Sequence, residues 1–317
     1  MQALSMKTAN KQNLSPTPLT LTEPQARVLH ATHFYRFLCA QDICSLHWSS
    51  SSITYVRDLL VNLAKNKYLY RFQLPSVHSG GIGAERIYTL GAAGRKFMEK
   101  SGFKIDWHYR PHRIKLASYG AALHNLLLSR TLIAASVWAK KQPNFKLVKT
   151  RICYELAREA PSIQLINGRG EREMVKVIFD AYLLFQKLNN NKHERFYQIL
   201  LELDRGTEFK KRFVKSIRAR LEFIKDSGAY RRLLGMEPKN VIIGYITTGD
   251  WPEYRESRRR AMSDWAMQVI SQSDLNNLPC SFLFCSVLAS EIYNIPLFEG
   301  AGWFKPGESS PVSLFTP

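Results

Sequence analysis

The chain has 317 residues, an ordinary hydrophobic fraction of 45% and an unusually high net charge of +19. This length accommodates about two domains with substantial cores, and the basic excess in both halves indicates a polyanionic partner, most naturally DNA. No apolar run approaches the ~20 residues of a membrane span, and there is no basic amphipathic anchor. The sequence therefore predicts no membrane partner.

The cysteines point to a reducing compartment. Their number is odd, none forms a C-x-x-C pair, and no histidine pair follows at zinc-finger spacing. The N-terminus also lacks the charged-then-apolar pattern of a signal peptide. We therefore expect a cytoplasmic protein with reduced thiols at Cys39, Cys44, Cys153, Cys280 and Cys285.

The first third of the chain has the element order of a winged helix. Residues 1–20, rich in Ser, Thr, Asn and Pro, are expected to form a mobile leader. Residues 21–102 then contain three helical patterns, two strand-like runs joined by a glycine-rich loop, and a closing helix. Three helices followed by a hairpin are typical of the winged-helix variant of helix-turn-helix. The predicted helices cover residues 22–38, 41–48, 53–66 and 91–100, and the predicted strands cover 68–74 and 86–90.

This unit is predicted to bind DNA. In a winged helix the third helix enters the major groove and the hairpin lies on the backbone. Some winged helices instead serve as protein-interaction modules, but the basic excess favours DNA. The expected contacts are Ser51, Thr54, Tyr55 and Arg57 on the third helix, and Arg71, His78 and Arg86 on the hairpin.

Residues 103–117 form a basic, aromatic-rich connector that contains Pro111. Two interpretations stay open: a linker laid along nucleic acid, since arginines and aromatics suit phosphate contact and base stacking, or a packed interdomain segment. A long helix is predicted over residues 118–141. It carries His124, and a lone histidine on a helix usually serves packing or capping.

The second domain, residues 118–299, continues with strand-like runs. Residues 145–154 form the first run, which ends beside Glu155, and residues 160–172 are expected to form a charged loop. Residues 174–185 are predicted to form one strong strand with Asp180 in its middle.

Two carboxylates stand within the apolar run of residues 199–207, ILLELDRGT. On a strand, residues i and i+2 share a face, so Glu202 and Asp204 project together. Buried carboxylates are costly unless they are paired or bind a metal, and the run therefore indicates a site. The alternative is a strand end whose two acids accept hydrogen bonds from the turn at Arg205-Gly206.

The remaining elements complete an α-β-β-β-α-β order. Asn189-Asn190-Asn191 is a turn signal between two hairpin strands, and Thr207 is the expected N-cap of the next helix. The fold class is therefore α+β with two domains. The later elements are a helix over residues 208–224, a buried parallel strand over 241–246, a helix over 252–272, a strand over 280–287 and an irregular tail over 300–317.

This order and its acids resemble the PD-(D/E)XK nuclease superfamily. In that superfamily an Asp on one strand and the Glu of an E-x-K triplet on the next bind Mg²⁺, which activates a water and offsets phosphoryl charge. Here Phe179-Asp180 and Glu202-Leu203-Asp204 stand at those positions, so an aspartate replaces the expected lysine. The resemblance implies Asp180, Glu202 and Asp204 as ligands of Mg²⁺ or Mn²⁺, with Lys215 as the migrated lysine.

A closer resemblance covers nearly the whole chain. Besides the winged helix, it rests on Tyr88-Thr89-Leu90-Gly91-Ala92-Ala93-Gly94, Leu123-His124-Asn125, Phe179-Asp180-Ala181 and Glu202-Leu203-Asp204-Arg205-Gly206-Thr207-Glu208. Together these resemble the replication-relaxation family of plasmids and other mobile elements, which implies a role in replication or DNA relaxation. The resemblance adds His124 and Glu155 to the candidate residues. Arg220-Leu221 replaces the aromatic residue that the family tends to carry there.

Three hypotheses follow. The first is a Mg²⁺-dependent DNA nuclease or nickase of a mobile element. The second is a non-catalytic DNA-binding, recruitment or regulatory protein on a degenerate nuclease scaffold, whose partners include other replication, mobilisation or transposition proteins. The third is a relaxase with Tyr182 or Tyr197 as nucleophile, although such sites usually pair the tyrosine with histidines. No feature of the sequence predicts an oligomeric state.

Overall fold

The structure is a computed structural model that describes residues 21–73, 86–105, 119–166, 169–188, 194–206, 208–249, 251–271, 278–287, 292 and 297–315. The predicted leader, most of the predicted connector, and His78 lie outside these residues. No helix in the described part is long and apolar enough to cross a membrane.

Three helices open the described chain: α1 (Glu23–Tyr35), α2 (Ala40–His47) and α3 (Ile53–Lys65). α3 is strongly amphipathic, as its sequence period predicts. It buries Val56, Leu60 and Leu63 against the other helices. Its polar face is therefore left on the surface.

An antiparallel hairpin follows, formed by β1 (Leu69–Gln73) and β2 (Arg86–Leu90), and then α4 (Ala92–Lys100). β2 also exchanges backbone hydrogen bonds with Leu38, which lies between α1 and α2. A Cβ on Gly94 would lie 2.1 Å from the backbone oxygen of Tyr68, so glycine is needed where α4 crosses the start of the hairpin. The hairpin is thereby fixed to the helices on both sides.

Helix α5 (Tyr119–Lys141) joins this N-terminal unit to the rest of the protein. Ser129 Oγ donates to the backbone oxygen of Tyr35 over 2.6 Å. Arg130 Nε donates to Asp42 Oδ1 over 3.3 Å, and both side chains are buried. A buried charge is tolerated only while the opposite charge stays beside it. This contact therefore holds α5 against α2.

The rest of the described chain contains nine strands and four helices. In order they are β3 (Phe145–Ile152), α6 (Cys153–Glu159), β4 (Ser162–Ile166), β5 (Arg172–Lys176), β6 (Ala181–Leu188), β7 (Glu194–Asp204), α7 (Lys210–Lys225), α8 (Ser227–Leu234), β8 (Val241–Thr248), α9 (Pro252–Ile270), β9 (Cys280–Val287), β10 (Ala301–Trp303) and β11 (Val312–Ser313).

A five-stranded mixed sheet organises this second unit, in the order β3-β6-β7-β8-β9. β3, β6 and β7 are antiparallel neighbours, whereas β8 and β9 run parallel to β7. The parallel connections pass through α7 with α8 and through α9, as parallel strands require. The fold is therefore a mixed α+β fold, as expected.

The two faces of β7 pack against different layers. Ile199, Leu201 and Leu203 join the core that contains α5, the N-terminal helices and the C-terminal residues. Leu200 joins a second core built on α7, α8 and α9. Glu202 and Asp204 share the face of Leu200, which confirms the alternation predicted for ILLELDRGT.

The predicted strand over residues 174–185 is wrong. β5 ends at Lys176 and pairs with β4 outside the main sheet, whereas β6 begins at Ala181. The amide of Val177 donates a hydrogen bond to the backbone oxygen of Pro161 over 3.0 Å, and the amide of Asp180 donates to the backbone oxygen of Leu201 over 3.1 Å. The backbone therefore changes its hydrogen-bond partner between the two strands. Continuous apolar composition cannot reveal such a change.

Three further expectations need correction. The predicted loop over residues 160–172 contains β4, whose Ile163 and Leu165 are buried in alternation. α7 begins at Lys210 rather than at residue 208, with Phe209 as its N-cap, and Thr207, the expected cap, lies outside the described residues. The tail over residues 300–317 contains β10 and β11 and buries Trp303 and Phe315 in the core. Its large apolar side chains outweigh its loop-like composition.

Candidate functional site

The candidate site begins where Asp180 meets β7. Asp180 Oδ2 accepts a hydrogen bond from the backbone amide of Leu203 at 2.8 Å. Its other oxygen, Oδ1, lies 3.1 Å from Nε2 of His124 on α5. Asp180 therefore stands immediately before β6, fixed by β7 on one side and by a histidine on the other.

Glu202 is fixed differently, by an arginine. Its Oε1 lies 2.5 Å from a terminal nitrogen of Arg220 on α7, and the side chains are only 17% and 8% exposed. Arg220 also donates to Tyr245 Oη over 2.6 Å and to Ser216 Oγ. The guanidinium lies 5.2 Å from the ring centre of Phe179. Such contacts suit its flat, weakly hydrated charge.

Burial sets the protonation of Glu202. Loss of solvent raises the pKa of its carboxyl well above the ordinary value of 4.5, and the charge of Arg220 opposes that rise. The nearby carboxylates of Asp180 and Glu208 add to it. Glu202 is therefore an acid held between a buried cation and two like charges.

Asp204 has its own arginine. Arg258, on α9, donates from Nε to Asp204 Oδ2 at 2.9 Å and from a terminal nitrogen to Oδ1 at 3.3 Å. Asp204 is 7% exposed, so this two-bond pair neutralises a buried carboxylate. Arg258 also donates to the backbone oxygen of Glu208.

A cleft of about 450 Å³ contains part of the predicted site. Asp180, Glu202 and Lys215 line it, together with residues that sequence reasoning did not select. Asp204 is not among its lining residues. The others are Val175, Lys176, Val177, Ile178, Glu208, Arg212, Ser216, Ala219 and Arg220.

The remaining predicted site residues have local partners. Lys215 lies at the cleft but forms an ion pair with Glu173 of β5. Glu155 Oε2 accepts from the backbone amide of Ile152 at 3.3 Å, which caps the start of α6. The structure thus brings Asp180, Glu202 and Lys215 together around one cleft. His124 contacts Asp180 but does not line the cleft, and Glu155 acts in its own helix.

The predicted ligand set for Mg²⁺ does not fit this arrangement. Among the residues that the structure describes, no group of three or more His, Cys, Asp or Glu side chains is placed to hold a metal ion. The donor chemistry gives the reason: guanidinium groups of Arg220 and Arg258 occupy the carboxylates of Glu202 and Asp204. Hard divalent cations need such oxygens free.

The two tyrosines considered as nucleophiles lie in the core. Tyr182 is buried, and its hydroxyl donates to Gln198 at 3.2 Å. Burial raises the pKa of this hydroxyl. Tyr197 is also buried and donates to the backbone oxygen of Phe315 at 3.3 Å. Neither geometry offers a hydroxyl to an external phosphodiester.

The expected DNA-contact residues lie on the surface of the N-terminal unit. Thr54, Tyr55 and Arg57 are exposed on α3, opposite its buried stripe. Ser51 is exposed in the turn before α3. Arg71 and Arg86 are exposed on β1 and β2, and His78 lies between these strands, outside the described residues.

A comparison with models of protein families identifies the family of this chain. A model of the replication-relaxation family matches residues 29–239, which is 211 of the 317 residues. The chain belongs to the replication-relaxation family. The match spans α3, the hairpin, α5, Asp180 and Glu202, and the family links the chain to replication and DNA relaxation of mobile elements. No curated protein and no solved structure gives a significant match.

Sequence reasoning missed the arginines of the site. One signal was present, because Arg220 stands where the replication-relaxation family tends to carry an aromatic residue. In this chain Arg220 is buried beside Glu202. Arg258 lies 54 residues after Asp204, and no pattern in the sequence around it indicated this contact.

Proposed function

We propose that the protein binds DNA during replication or relaxation of a plasmid or other mobile element. Its N-terminal unit acts as a winged helix, with α3 in the major groove and the β1–β2 hairpin on the backbone. Support comes from the element order, the exposed Thr54, Tyr55 and Arg57 on α3, and the exposed Arg71 and Arg86 on the hairpin. The net charge of +19 supplies the sequence-independent attraction.

The second unit is a PD-(D/E)XK-like scaffold that serves binding and recruitment rather than cleavage. The order α5, β3, β6, β7, α7, β8 supports the scaffold, with the β4–β5 hairpin as an insertion. One observation carries the non-catalytic role: Arg220 is paired with Glu202 where a nuclease would hold its metal. A built-in cation there offsets the acid's charge without a divalent ion.

Fluorescence anisotropy with a labelled DNA duplex tests the binding mode. Replacing Arg57, Arg71 and Arg86 together by alanine is expected to weaken binding and to reduce the slope of log affinity against log salt by ~2.7, about 0.9 for each lost phosphate contact. The charge-matched control replaces the exposed Lys141, Lys146 and Lys239 of the second unit. An equal loss in both triple variants would mean that the charge acts without this surface.

Metal-dependent cleavage is the second candidate. It is favoured by the shared cleft of Asp180, Glu202 and Lys215, two acids and the lysine that the nuclease resemblance implies. In this case Mg²⁺ or Mn²⁺ would have to displace Arg220 from Glu202. Plasmid nicking that is lost in Asp180→Ala and Glu202→Ala would establish it.

A further inference from the structure

Two aromatic side chains are unusually exposed on the second unit. Phe209 is 82% exposed and Trp251 is 75% exposed, the highest values among the large hydrophobic side chains of the described chain. Tyr254 is 52% exposed. Exposed single residues are ordinary, but grouped aromatics usually mark an interaction surface. We refer to Phe209, Trp251 and Tyr254 as the aromatic surface.

These residues lie around the ends of β7 and β8. Tyr254 Oη donates to the backbone oxygen of Gly206 over 3.4 Å. Arg258, one turn later on α9, reaches Asp204 and the backbone of Glu208. The first turns of α9 therefore pack against the segment that leads from β7 into α7. Phe209 ends that segment, and Trp251 immediately precedes α9.

Three consecutive basic residues follow Phe209 at the start of α7. Lys210 and Lys211 are exposed at the start of α7. Arg212 has a side chain that is 84% exposed, and its Nε lies 3.8 Å from Glu208 Oε1. Of the other nearby acids, Asp204 is neutralised by Arg258. Near Trp251 the sequence also carries two acids, Asp250 and the exposed Glu253 on α9, so the cations are concentrated on the Phe209 side of the aromatic surface.

This combination fits one class of ligand. Unpaired bases offer flat apolar faces that stack on aromatic side chains, while their phosphates are attracted to nearby cations. A duplex conceals the same faces inside its base stack. We propose that the aromatic surface binds single-stranded DNA. The inference rests on the proposed function, because replication and relaxation are the processes that would supply unpaired strands.

The test measures anisotropy of a labelled oligothymidine, which has no duplex structure, beside a labelled duplex. Phe209→Ala and Trp251→Ala are each expected to weaken oligothymidine binding by about tenfold. Duplex affinity, which depends on α3 and the hairpin, is expected to stay unchanged. Met267→Ala is the control: Met267 lies on α9 and is 44% exposed, and this variant is expected to change neither affinity.

A second pair of variants separates stacking from simple apolar contact. Trp251→Phe is expected to retain most oligothymidine affinity, whereas Trp251→Leu is expected to lose it, because only an aromatic ring stacks on a base. Unchanged oligothymidine affinity in the alanine variants, or equal affinity in the Phe and Leu variants, would overturn the inference and leave a protein partner as occupant. If the wild type binds no duplex but binds oligothymidine through Trp251, the winged-helix proposal fails and this one stands.

Discussion

The carboxylate of Glu202 and the guanidinium of Arg220 lie 2.5 Å apart, with Arg220 buried and Glu202 mostly buried at the cleft. Glu202 comes from β7 and Arg220 from α7, so the pair joins the sheet to the helix layer above it. At this position the nuclease resemblance implies a metal ligand. In this chain the charge of Glu202 is instead offset by Arg220, a residue of the protein itself.

Removing one member of this pair should destabilise the fold. Arg220→Met leaves Glu202 buried without its cation, and the free energy of unfolding in urea at pH 7 is expected to fall by ~3–5 kcal/mol. Arg212→Met, on the exposed side of the same helix, is the control and should change it by less than ~0.5 kcal/mol.

A double variant separates charge from packing. Glu202→Leu combined with Arg220→Met replaces the pair by apolar side chains and is expected to recover most of the loss. If Arg220→Met alone is as stable as the wild type, the pair does not carry the charge balance described here.

The pH dependence of stability should identify Glu202. Because burial raises the pKa of its carboxyl in the folded state above the ordinary 4.5, the folded protein holds this proton more tightly than the unfolded chain. Its contribution is therefore present below pH 4.5 and is lost as pH rises through the raised pKa. Glu202→Gln cannot ionise, so its stability relative to wild type should increase with pH above 4.5. A constant difference between pH 4.5 and 8 would contradict this.

Glu256 should show the opposite sign. The hydrogen bond from Arg259, with those from Arg260 and Ser286, lowers the pKa of its carboxyl from 4.5 to about 2. Its contribution is present above pH 4.5 and is lost as pH falls towards 2. The full pKa shift corresponds to ~3 kcal/mol of stability. Since the side chain is 34% exposed and solvent screens its charge, Glu256→Gln should lower the free energy of unfolding at pH 7 by less than this. Unfolding at pH 7 and pH 2.5 measures the difference, which should fall to roughly a quarter of its pH 7 value at the lower pH.

The buried pair of Asp42 and Arg130 should couple the two units. Arg130→Leu removes the Arg130 ion pair of Asp42, which is 0% exposed, and is expected to cost ~3–5 kcal/mol. Unfolding followed by tryptophan fluorescence and circular dichroism should move to lower urea concentration. The exposed Asp58→Ala is the control and should change stability by less than ~0.5 kcal/mol. Wild-type stability in Arg130→Leu would mean that the pair does not hold the units together.

Local pattern predicted much of this fold. Helix α3, the β1–β2 strands, the face shared by Glu202 and Asp204, and the parallel strand β8 each follow from a hydrophobic period or an apolar run. The match to the replication-relaxation family confirms the resemblance found in the short strings around Asp180 and Glu202.

The failures have physical causes. The break between β5 and β6 depends on which distant backbone groups bond Val177 and Asp180, and composition does not encode those partners. The pairing of Asp204 with Arg258 joins elements 54 residues apart. Asp180 stays a predicted site residue, and its contact with His124 depends on how α5 lies across the sheet, which the residues around Asp180 do not encode.

The protein is proposed to bind DNA and to hold a site whose carboxylates are neutralised by arginines. A gel of supercoiled plasmid incubated with protein in EDTA and in Mg²⁺ or Mn²⁺ tests this proposal most directly, because each reaction reports binding before the protein is removed and nicking afterwards. We predict retarded plasmid in each condition, with no open-circular product after the protein is removed. Open-circular product that forms only with the metal, and that disappears in both Asp180→Ala and Glu202→Ala, would contradict the account.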